Sequence, residues 1–411
     1  MNQDLYNPYE LGWGERISFP STRNVPEYGN RIYNRYPARS VFLVPRAILA
    51  AQQKKGLNIL DPFMGSGTTA VETVLAGDIP FGIEMDPFAQ MVSNASVSVF
   101  TKEELSEIQI VYDRIIKTYS NFKPAQKPDL TGIERWFKSN DLIELLQIRA
   151  CIDAVTPRQF LDFFIVTFAD SIKPVSLMER QSLKPYISKR FPKITKSTYE
   201  SFQYSFNAHF EALNSMCQAC ENPNPITWLG NDATDFNTEE ACIDIAITSP
   251  PYINALDYIR CIKVESALCG LTDNSQAARM RKMQVGHEVR RGQVIADVVS
   301  SIFEKFYRQI ATKDTQRADT CRAYFNDIYS NLMCVFRSLK HGGEYHIIIG
   351  DNIIRKIEIP THSIIMEIAQ NVGFTIFGLY SYAIKDHRTS IPRDSSNNKI
   401  HDEYVIMLRK A

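Results

Sequence analysis

The sequence lacks the hydrophobic runs that targeting or membrane insertion require. No segment approaches the roughly 18 consecutive apolar residues of a membrane span. The opening stretch, MNQDLYNPYELGWGERISF, also lacks the apolar core of a signal peptide. With 44% hydrophobic and 22% charged residues, the composition is that of a globular protein. We therefore expect a cytoplasmic protein, and its 411 residues suggest two or three domains, or one domain with large insertions.

The sequence also has no regular pattern of cysteines and no net charge. The eight cysteines follow no framework, which favours reduced thiols over disulfides. Cys217 and Cys220 form one CxxC pair, but no second pair lies at zinc-finger spacing, so we predict no metal site. Basic and acidic residues number 46 each. A polyanionic partner would therefore have to meet local patches of positive charge.

One stretch that is present combines a short apolar segment with two prolines. In residues 243–247 Asp244 is the only polar residue, as is typical of a buried strand in a parallel sheet. The segment TSPPY, residues 248–252, follows directly. Consecutive prolines hold the backbone stiff and extended, and ligands of open α/β sheets bind at the carboxyl ends of strands. TSPPY is thus a candidate catalytic loop, with a plain structural turn as the alternative.

A second stretch combines a strand, a glycine-rich turn and a helix. DPFMGSGTT at 61–69 is followed by Ala70, so residues 65–70 match G-x-G-x-x-A, and Glu84 ends the next predicted strand. Glycines permit close backbone approach, the helix N-terminus offers free N–H groups, and the acid can accept ribose hydroxyls. This placement predicts a nucleotide-like cofactor, with a merely structural tight turn as the alternative.

The chain divides into regions of different composition. Residues 1–35 are rich in Tyr, Pro, Gly, Asn and Arg and predict an irregular N-terminal arm. Residues 36–86 and 227–411 alternate strands and helices and would form the catalytic domain. Residues 87–226 show only helical spacing, which predicts a helical insertion and a candidate target-recognition region. Within the catalytic domain, 272–320 is predicted to be a basic loop region.

Two segments are locally basic. Residues 171–196 carry seven cations against one acid, with aromatic residues interleaved, and 272–295 is a second candidate. Cations and aromatics together suit a nucleic-acid backbone, whereas a solvated basic face is the alternative. The candidate nucleic-acid contacts are Lys173, Arg180, Lys184, Lys189, Arg190, Arg281, Lys282, Arg290 and Arg291.

Taken together, the motifs resemble those of S-adenosylmethionine-dependent DNA methyltransferases that modify exocyclic amino groups, in particular the N4-cytosine type. The resemblance is carried by DPFMGSGTT, by Glu84 in GIEMDP, by Asp232 in GNDA, by TSPPY in its serine form, and by YPARSVFLVPR at 36–46. It implies an α/β fold of the class I methyltransferase (Rossmann-like) type. That fold has a mostly parallel seven-stranded sheet, here with a large helical insertion.

The resemblance also implies S-adenosyl-L-methionine as the cofactor. Asp61 would meet the methionine amino group and Asp232 the adenine amine, although a helix cap and a turn residue are the respective alternatives. Thr68 and Thr69 would bind the carboxylate, and the segment from Tyr36 would cover the methionine end. The implied cofactor-binding residues are Tyr36, Pro37, Asp61, Phe63, Gly65, Gly67, Thr68, Thr69, Glu84, Asp232 and Ala233.

For catalysis the resemblance implies Ser249, Pro250, Pro251 and Tyr252. The Ser249 hydroxyl and the Pro250 carbonyl would accept the two amine protons, while Tyr252 would stack on the base. The substrate would be a cytosine flipped out of duplex DNA. The biological role would be protection of host DNA in a restriction-modification or related defence system, with possible pairing to a restriction endonuclease.

Three rival functions remain. Close relatives methylate adenine N6, an RNA guanine amine or a protein amide, but more often carry Asp or Asn in place of Ser249. A nicotinamide-dependent oxidoreductase would explain the glycine-rich turn but not TSPPY. A DNA-binding protein that keeps the fold without activity is disfavoured by the intact glycines, Glu84 and Ser249.

Overall fold

The computed structural model describes residues 6–19, 25–33, 35–221, 223–238, 240–253, 256–288, 296–383 and 402–411. Within these ranges no helix is both long and apolar enough to cross a membrane. All eight cysteines carry free thiols.

The described strands form one large sheet and one small hairpin. In chain order they are β1 (Glu15–Ile17), β2 (Asn58–Asp61), β3 (Ile79–Ile83), β4 (Thr227–Gly230), β5 (Ile243–Thr248), β6 (Leu339–Gly350), β7 (Asn352–Ile354), β8 (Ile357–Ile359), β9 (Phe374–Ala383) and β10 (Asp402–Lys410).

The helices flank the sheet and fill the insertion. They are α1 (Leu43–Ala50), α2 (Thr68–Ala76), α3 (Pro87–Val97), α4 (Lys102–Thr118), α5 (Ser139–Asp153), α6 (Leu161–Val175), α7 (Thr198–Ala219), α8 (Tyr258–Leu268), α9 (Asn274–Met283), α10 (Ser301–Ala311), α11 (Thr315–Ser338) and α12 (Thr361–Val372).

The large sheet has eight strands in the order β1-β9-β10-β6-β5-β2-β3-β4. Neighbours are parallel except for the two pairings of β10, which is antiparallel to β6 and to β9. The expected mostly parallel α/β fold is confirmed. An eighth strand joins the expected seven, because β1, in the arm predicted to be irregular, pairs with β9 through Glu15 opposite Tyr380. Such a pairing between distant segments leaves no local sequence pattern.

The strand order reverses between β2 and β5, which are neighbours although β3 and β4 lie between them in the chain. Ile59 is opposite Ile245, and both strands are buried. Their carboxyl ends therefore meet, and the Thr248 hydroxyl donates a 2.5 Å hydrogen bond to Asp61 Oδ1. A crevice at such a reversal is the usual ligand site of open α/β sheets.

The region predicted to be a helical insertion is helical throughout its regular elements. It contains α3 to α7 and no strand among its described residues. Its aromatic side chains pack on one another, as Phe206 stacks on Tyr112 with ring centroids 3.8 Å apart. These helices and residues of α8 share one buried core.

The region 272–320 differs from the loop predicted there. It contains α9, α10 and the start of α11. Helix α9 buries no residue, so it lacks the apolar periodicity that predicts a helix. The sequence feature that indicates the start of this helix is the capping box of Asp273 and Gln276. The side chain of each residue accepts a hydrogen bond from the backbone N–H of the other.

Candidate active site

An open cleft of about 1020 Å³ lies over the carboxyl ends of β2, β3, β4 and β5. It collects most of the residues singled out from the sequence. Those that line it are Tyr36, Pro37, Asp61, Phe63, Gly65, Thr68, Glu84, Asp232, Ala233, Ser249 and Pro251. The glycine-rich turn and two residues of TSPPY, Ser249 and Pro251, thus face one space although they are far apart in sequence, whereas Tyr252 is not part of the cleft wall.

The turn after β2 is held by Glu84. Gly65 has φ +54°, in the left-handed region that favours glycine. Its N–H donates to Glu84 Oε2 at 2.8 Å, and the N–H of Asp86 donates to Oε1 at 2.9 Å. Each carboxylate oxygen keeps a second lone pair. Glu84 can therefore shape the turn and still accept hydrogen bonds from a ligand.

Gly67 serves helix packing and is not part of the cleft wall. It has φ +82° and precedes α2. A Cβ there would lie 2.9 Å from Cα, Cβ and Oγ of Ser93 in α3. The close approach expected at Gly67 is therefore to a neighbouring helix, whereas Gly65 faces the cleft.

Asp61 and Thr68 line the cleft, whereas Thr69 is not part of the cleft wall and contacts Asp61 through its hydroxyl. Burial raises the pKa of Asp61 to about 6, opposed by hydrogen bonds from the hydroxyls of Thr248 and Thr69 and from the N–H of Phe63. The Thr68 hydroxyl is buried, lines the cleft and has no hydrogen-bond partner among the described residues. A buried hydroxyl without a partner is costly, so this position suits a polar ligand group.

Two acids lie at the end of β3. Burial raises the pKa of Glu84 to about 7, and the carboxylate of Asp86 adds to this rise. Asp86 caps α3 by accepting from Phe88 N at 2.9 Å, and burial raises its pKa to about 6. The motif comparison did not assign Asp86 a role. Its signal was the Asp-Pro pair, which is typical of a helix start.

Asp232 lies in a turn and also lines the cleft. Its Oδ1 accepts from the N–H and the hydroxyl of Thr234, at 2.8 and 2.7 Å. The neighbouring Ala233 carbonyl accepts from Asn331 of α11 at 2.8 Å. Asp327, on the same helix, has its pKa raised to about 7 by burial and by the Asp232 carboxylate. The turn is thus fixed to α11 while Asp232 faces the cleft.

The four residues of the predicted catalytic loop differ in position. Ser249 is half-buried and lines the cleft with Pro251, whereas Pro250 is buried and is not part of the cleft wall. The Tyr252 hydroxyl donates to the carboxylate of Glu403, which also accepts from Tyr382. Tyr252 is therefore anchored to β10 at its hydroxyl end, a contact that the motif does not reveal.

The segment around Tyr36 is held by the helical insertion. Tyr36 is buried against the glycine-rich turn, its Cε1 3.5 Å from where a Cβ of Gly65 would lie. The guanidinium of Arg35 binds Asp170 of α6, with Nη2 2.7 Å from Oδ1. The N–H of Tyr33 donates to Nε2 of the buried His209 in α7 at 3.2 Å. Elements outside the sheet thus position one wall of the cleft.

The predicted nucleic-acid contacts fall into four groups. Lys173 is half-buried, and its ammonium donates to the Ser182 carbonyl at 2.6 Å, which makes it part of the local structure. Arg281 forms a 2.8 Å ion pair with Asp257. Arg290 and Arg291 lie outside the described residues. The remaining candidates are exposed: Arg180, Lys184, Lys189, Arg190 and Lys282.

Comparison with known proteins fits this arrangement. The type II methyltransferase M.MvaI of Kocuria varians is 24% identical over 412 residues, which cover 93% of this chain and 90% of that protein. The type II methyltransferase M.AvaI of Nostoc sp. is 24% identical over 401 residues, which cover 88% and 81%. The chain is similar to type II methyltransferases over most of its length. No protein-family model matches it.

Among solved structures, a SAM-dependent methyltransferase from Methanosarcina mazei aligns with 88% of this chain and 96% of its own. The sequence identity is 8% and the TM-score is 0.32.

Other cleft residues were not found from the sequence. Tyr258 and Ile259 begin α8, and Met283, Gln284 and Val285 follow from the end of α9. They carry no motif. Their position depends on how α8 and α9 pack, which local sequence does not encode.

Proposed function

We propose that the protein is a site-specific DNA methyltransferase that transfers a methyl group from S-adenosyl-L-methionine to the exocyclic N4 amine of cytosine. The observation that carries this proposal is the shared cleft, in which Ser249 and Pro251 face the same space as Asp61 and Glu84. A cofactor loop and a catalytic loop at adjoining strand ends are what a two-substrate transfer requires. Type II methyltransferases among its relatives add support.

The residues present fit the cofactor. Glu84 has lone pairs for ribose hydroxyls, and Asp61 offers a carboxylate for an ammonium group. The unpartnered Thr68 hydroxyl suits a carboxylate oxygen. Asp232 lies on the cleft wall beyond β4, where it would accept from the adenine amine. When bound, S-adenosyl-L-methionine would supply a sulfonium methyl group, which the attacking amine would take as the S–C bond breaks, with the thioether as leaving group and one amine proton released to solvent.

The chain's own residues would prepare the amine. The lone pair of an exocyclic amine is delocalised into the base, so acceptors for its hydrogens must draw it out of the ring plane. The Ser249 hydroxyl is placed in the cleft for this purpose, and the Pro250 carbonyl belongs to the same stiff loop. Tyr252, fixed through Glu403, would present its ring to the flipped base.

Duplex DNA as the substrate is supported by the exposed cations of the insertion. Arg180, Lys184, Lys189 and Arg190 are exposed together with the rings of Tyr186 and Phe191, which are 55% and 69% exposed. Cations bind backbone phosphates and aromatic rings bind unstacked bases. We place target recognition in the insertion and propose host-DNA protection, with a restriction endonuclease as the functional counterpart.

The test is incubation of the protein with labelled S-adenosyl-L-methionine and unmethylated duplex DNA, followed by digestion to nucleosides. N4-methylcytosine is the expected product. N6-methyladenine would replace the cytosine assignment with the adenine alternative. Label found only in RNA or protein would overturn the function.

Ser249→Ala should lower turnover at least 100-fold, the usual cost of removing one positioned hydrogen-bonding group. Cofactor affinity, measured by calorimetry, should stay within about twofold, because Ser249 is assigned to the amine. Ser275→Ala, in the exposed first turn of α9, provides a matched control with full activity. Unchanged turnover in Ser249→Ala would remove Ser249 from the mechanism.

A further inference from the structure

A second pocket adjoins the candidate active site, between α8 and α9. Arg260 and Lys263 of α8 and Arg281 of α9 are part of its wall. Ile259 and Asp86 belong to the walls of both the pocket and the cleft, so the two spaces adjoin at these residues. We call this the α8–α9 pocket. The sequence motifs single out neither Arg260 nor Lys263.

The α8–α9 pocket concentrates positive charge. A fourth cation, Arg135, stands beside it, with its guanidinium 4.5 Å from the ring centroid of the buried Trp136. The Lys263 ammonium lies 5.8 Å from the same centroid. Four cations are therefore gathered around one small region of the surface.

One of these four cations is paired, because Asp257 forms an ion pair with Arg281. The two acids of the pocket wall cap helices: Asp273 accepts from Gln276 N at 2.7 Å at the start of α9, and Asp86 accepts from Phe88 N at the start of α3. Within the described part of the chain, Arg260 and Lys263 form no salt bridge.

Burial and the neighbouring positive charges lower the pKa of Lys263. Burial lowers its pKa, and the positive charges of Arg135, Arg260 and Arg281 lower it further, against the single opposing charge of Asp257. An arrangement of mutually repelling cations is unfavourable in the free protein. An anion placed among them would relieve the repulsion.

We propose that the α8–α9 pocket binds a backbone phosphate of the DNA duplex beside the target base. The inference rests on the proposed function and adds to it the residues that hold the DNA. Guanidinium groups bind phosphate oxygens in a bidentate manner, and such contacts fix the position of a duplex without reading its sequence. Because the pocket opens next to the cleft, a phosphate held here would anchor the strand from which the base is extruded.

The test compares Arg260→Ala/Lys263→Ala with the unaltered protein by fluorescence anisotropy on duplex DNA, at about 50 and 200 mM salt. One neutralised phosphate contributes about 0.9 to the slope of log affinity against log salt, so the variant should lose a slope of about 0.9. The fourfold rise in salt should then weaken the variant about 3.5-fold less than the unaltered protein. Arg260→Lys/Lys263→Arg, which keeps both charges, should restore most of the slope.

Lys54→Ala/Lys55→Ala is the matched control. It also removes two exposed cations, but these precede β2 and so lie at the opposite edge of the sheet from the cleft. Its salt slope should equal that of the unaltered protein.

The outcomes separate the two proposals. If the unaltered protein methylates and binds DNA but the α8 variant keeps its full salt slope, the phosphate site is wrong and the function stands. If the unaltered protein neither binds nor methylates DNA, the proposed function fails and this inference with it. If the variant loses affinity only for duplex RNA of the same sequence, the ligand is RNA and the DNA assignment is overturned.

Discussion

At the scale of single residues, the candidate site contains several carboxyl groups that are buried from solvent. Burial raises the pKa values of Asp61 and Asp86 to about 6 and that of Glu84 to about 7. Buried acids with raised pKa values cluster at functional sites, where a bound ligand can provide the hydrogen bonds or positive charge that stabilise the ionised carboxylate. Here Asp61 would receive an ammonium group and Glu84 two hydroxyls.

These pKa values predict opposite effects of pH on stability and on cofactor binding. The folded chain holds protons on these acids that the unfolded chain has already released, so their contribution to stability rises as the pH falls from about 7 to about 4. Cofactor affinity should fall over the upper part of that range, because the ammonium and hydroxyl donors need ionised acceptors. Calorimetric titrations at pH 8, 7 and 6, with thermal unfolding of the free protein, measure both. Affinity that increases on acidification would contradict both assigned roles.

At the scale of elements, helix α2 shows two uses of the left-handed conformation. Gly67 before the helix has φ +82° and Gly77 after it has φ +79°. At Gly77 no atom lies within 4 Å of where a Cβ would be, whereas at Gly67 that position is 2.9 Å from Ser93. Gly77 is therefore required for its backbone conformation alone, and Gly67 also for the approach of α3.

This difference predicts unequal effects of one substitution. Gly77→Ala should cost about 1–2 kcal/mol, the price of a left-handed conformation for a residue with a Cβ. Gly67→Ala should cost at least about 2 kcal/mol more, because α3 must shift to relieve the contact with Ser93. It should also weaken cofactor binding, since the turn moves with the helix. Urea unfolding and calorimetry on both variants test this. Equal losses in the free energy of unfolding would show that the close contact between Gly67 and α3 does not contribute to stability.

Much of the site could be predicted from the sequence because its signals are local. The turn from β2 into α2, the acid ending β3 and the prolines after β5 are each contained in fewer than ten residues. Their meeting in one cleft followed from the rule for parallel sheets. The alternation of strands and helices likewise predicted the core of the sheet.

What the sequence did not predict depends on contacts between distant segments. The pairing of β1 with β9 joins the two ends of the chain. The anchor of Tyr252 is Glu403, in the last strand. Helix α9 buries no residue, so its pattern resembles that of a polar loop. For β1 and Tyr252 the interacting residues are distant in the sequence, and for α9 the helix carries no buried apolar face that a sequence pattern could show.

At the scale of the whole molecule, the N-terminal arm connects the helical insertion to the cleft. Arg35 binds Asp170 of α6, and Asp170 also accepts from Ser205 of α7 at 3.0 Å. His209 accepts from the N–H of Tyr33, and burial lowers its pKa, which favours the neutral imidazole. The position of the cleft wall that contains Tyr36 therefore depends on how the helices of the insertion are packed.

Asp170→Ala should therefore affect both stability and the site. Removing one partner of a largely buried ion pair typically costs about 3–5 kcal/mol, here somewhat less because Arg35 retains 32% exposure. Cofactor binding should weaken too, although Asp170 is not part of the cleft wall. Glu211→Ala is the control, since it breaks the exposed pair between Arg31 and α7 and should cost under about 1 kcal/mol. Equal effects would show that the arm is held by other contacts.

The hydrogen bond from Thr248 to Asp61 connects β5, which precedes the proposed catalytic loop, to β2, which precedes the proposed cofactor loop. A cofactor bound to Asp61 as proposed would change the hydrogen-bond partner of the residue preceding Ser249, so we expect binding of the two ligands to be coupled. Linkage then requires reciprocity: the cofactor must change DNA affinity by the same factor by which DNA changes cofactor affinity. Thr248→Val keeps the shape of the side chain and removes the bond. We expect it to bring both factors toward one, as paired titrations would measure, and factors that stay unchanged in this variant would show that the bond does not carry the coupling.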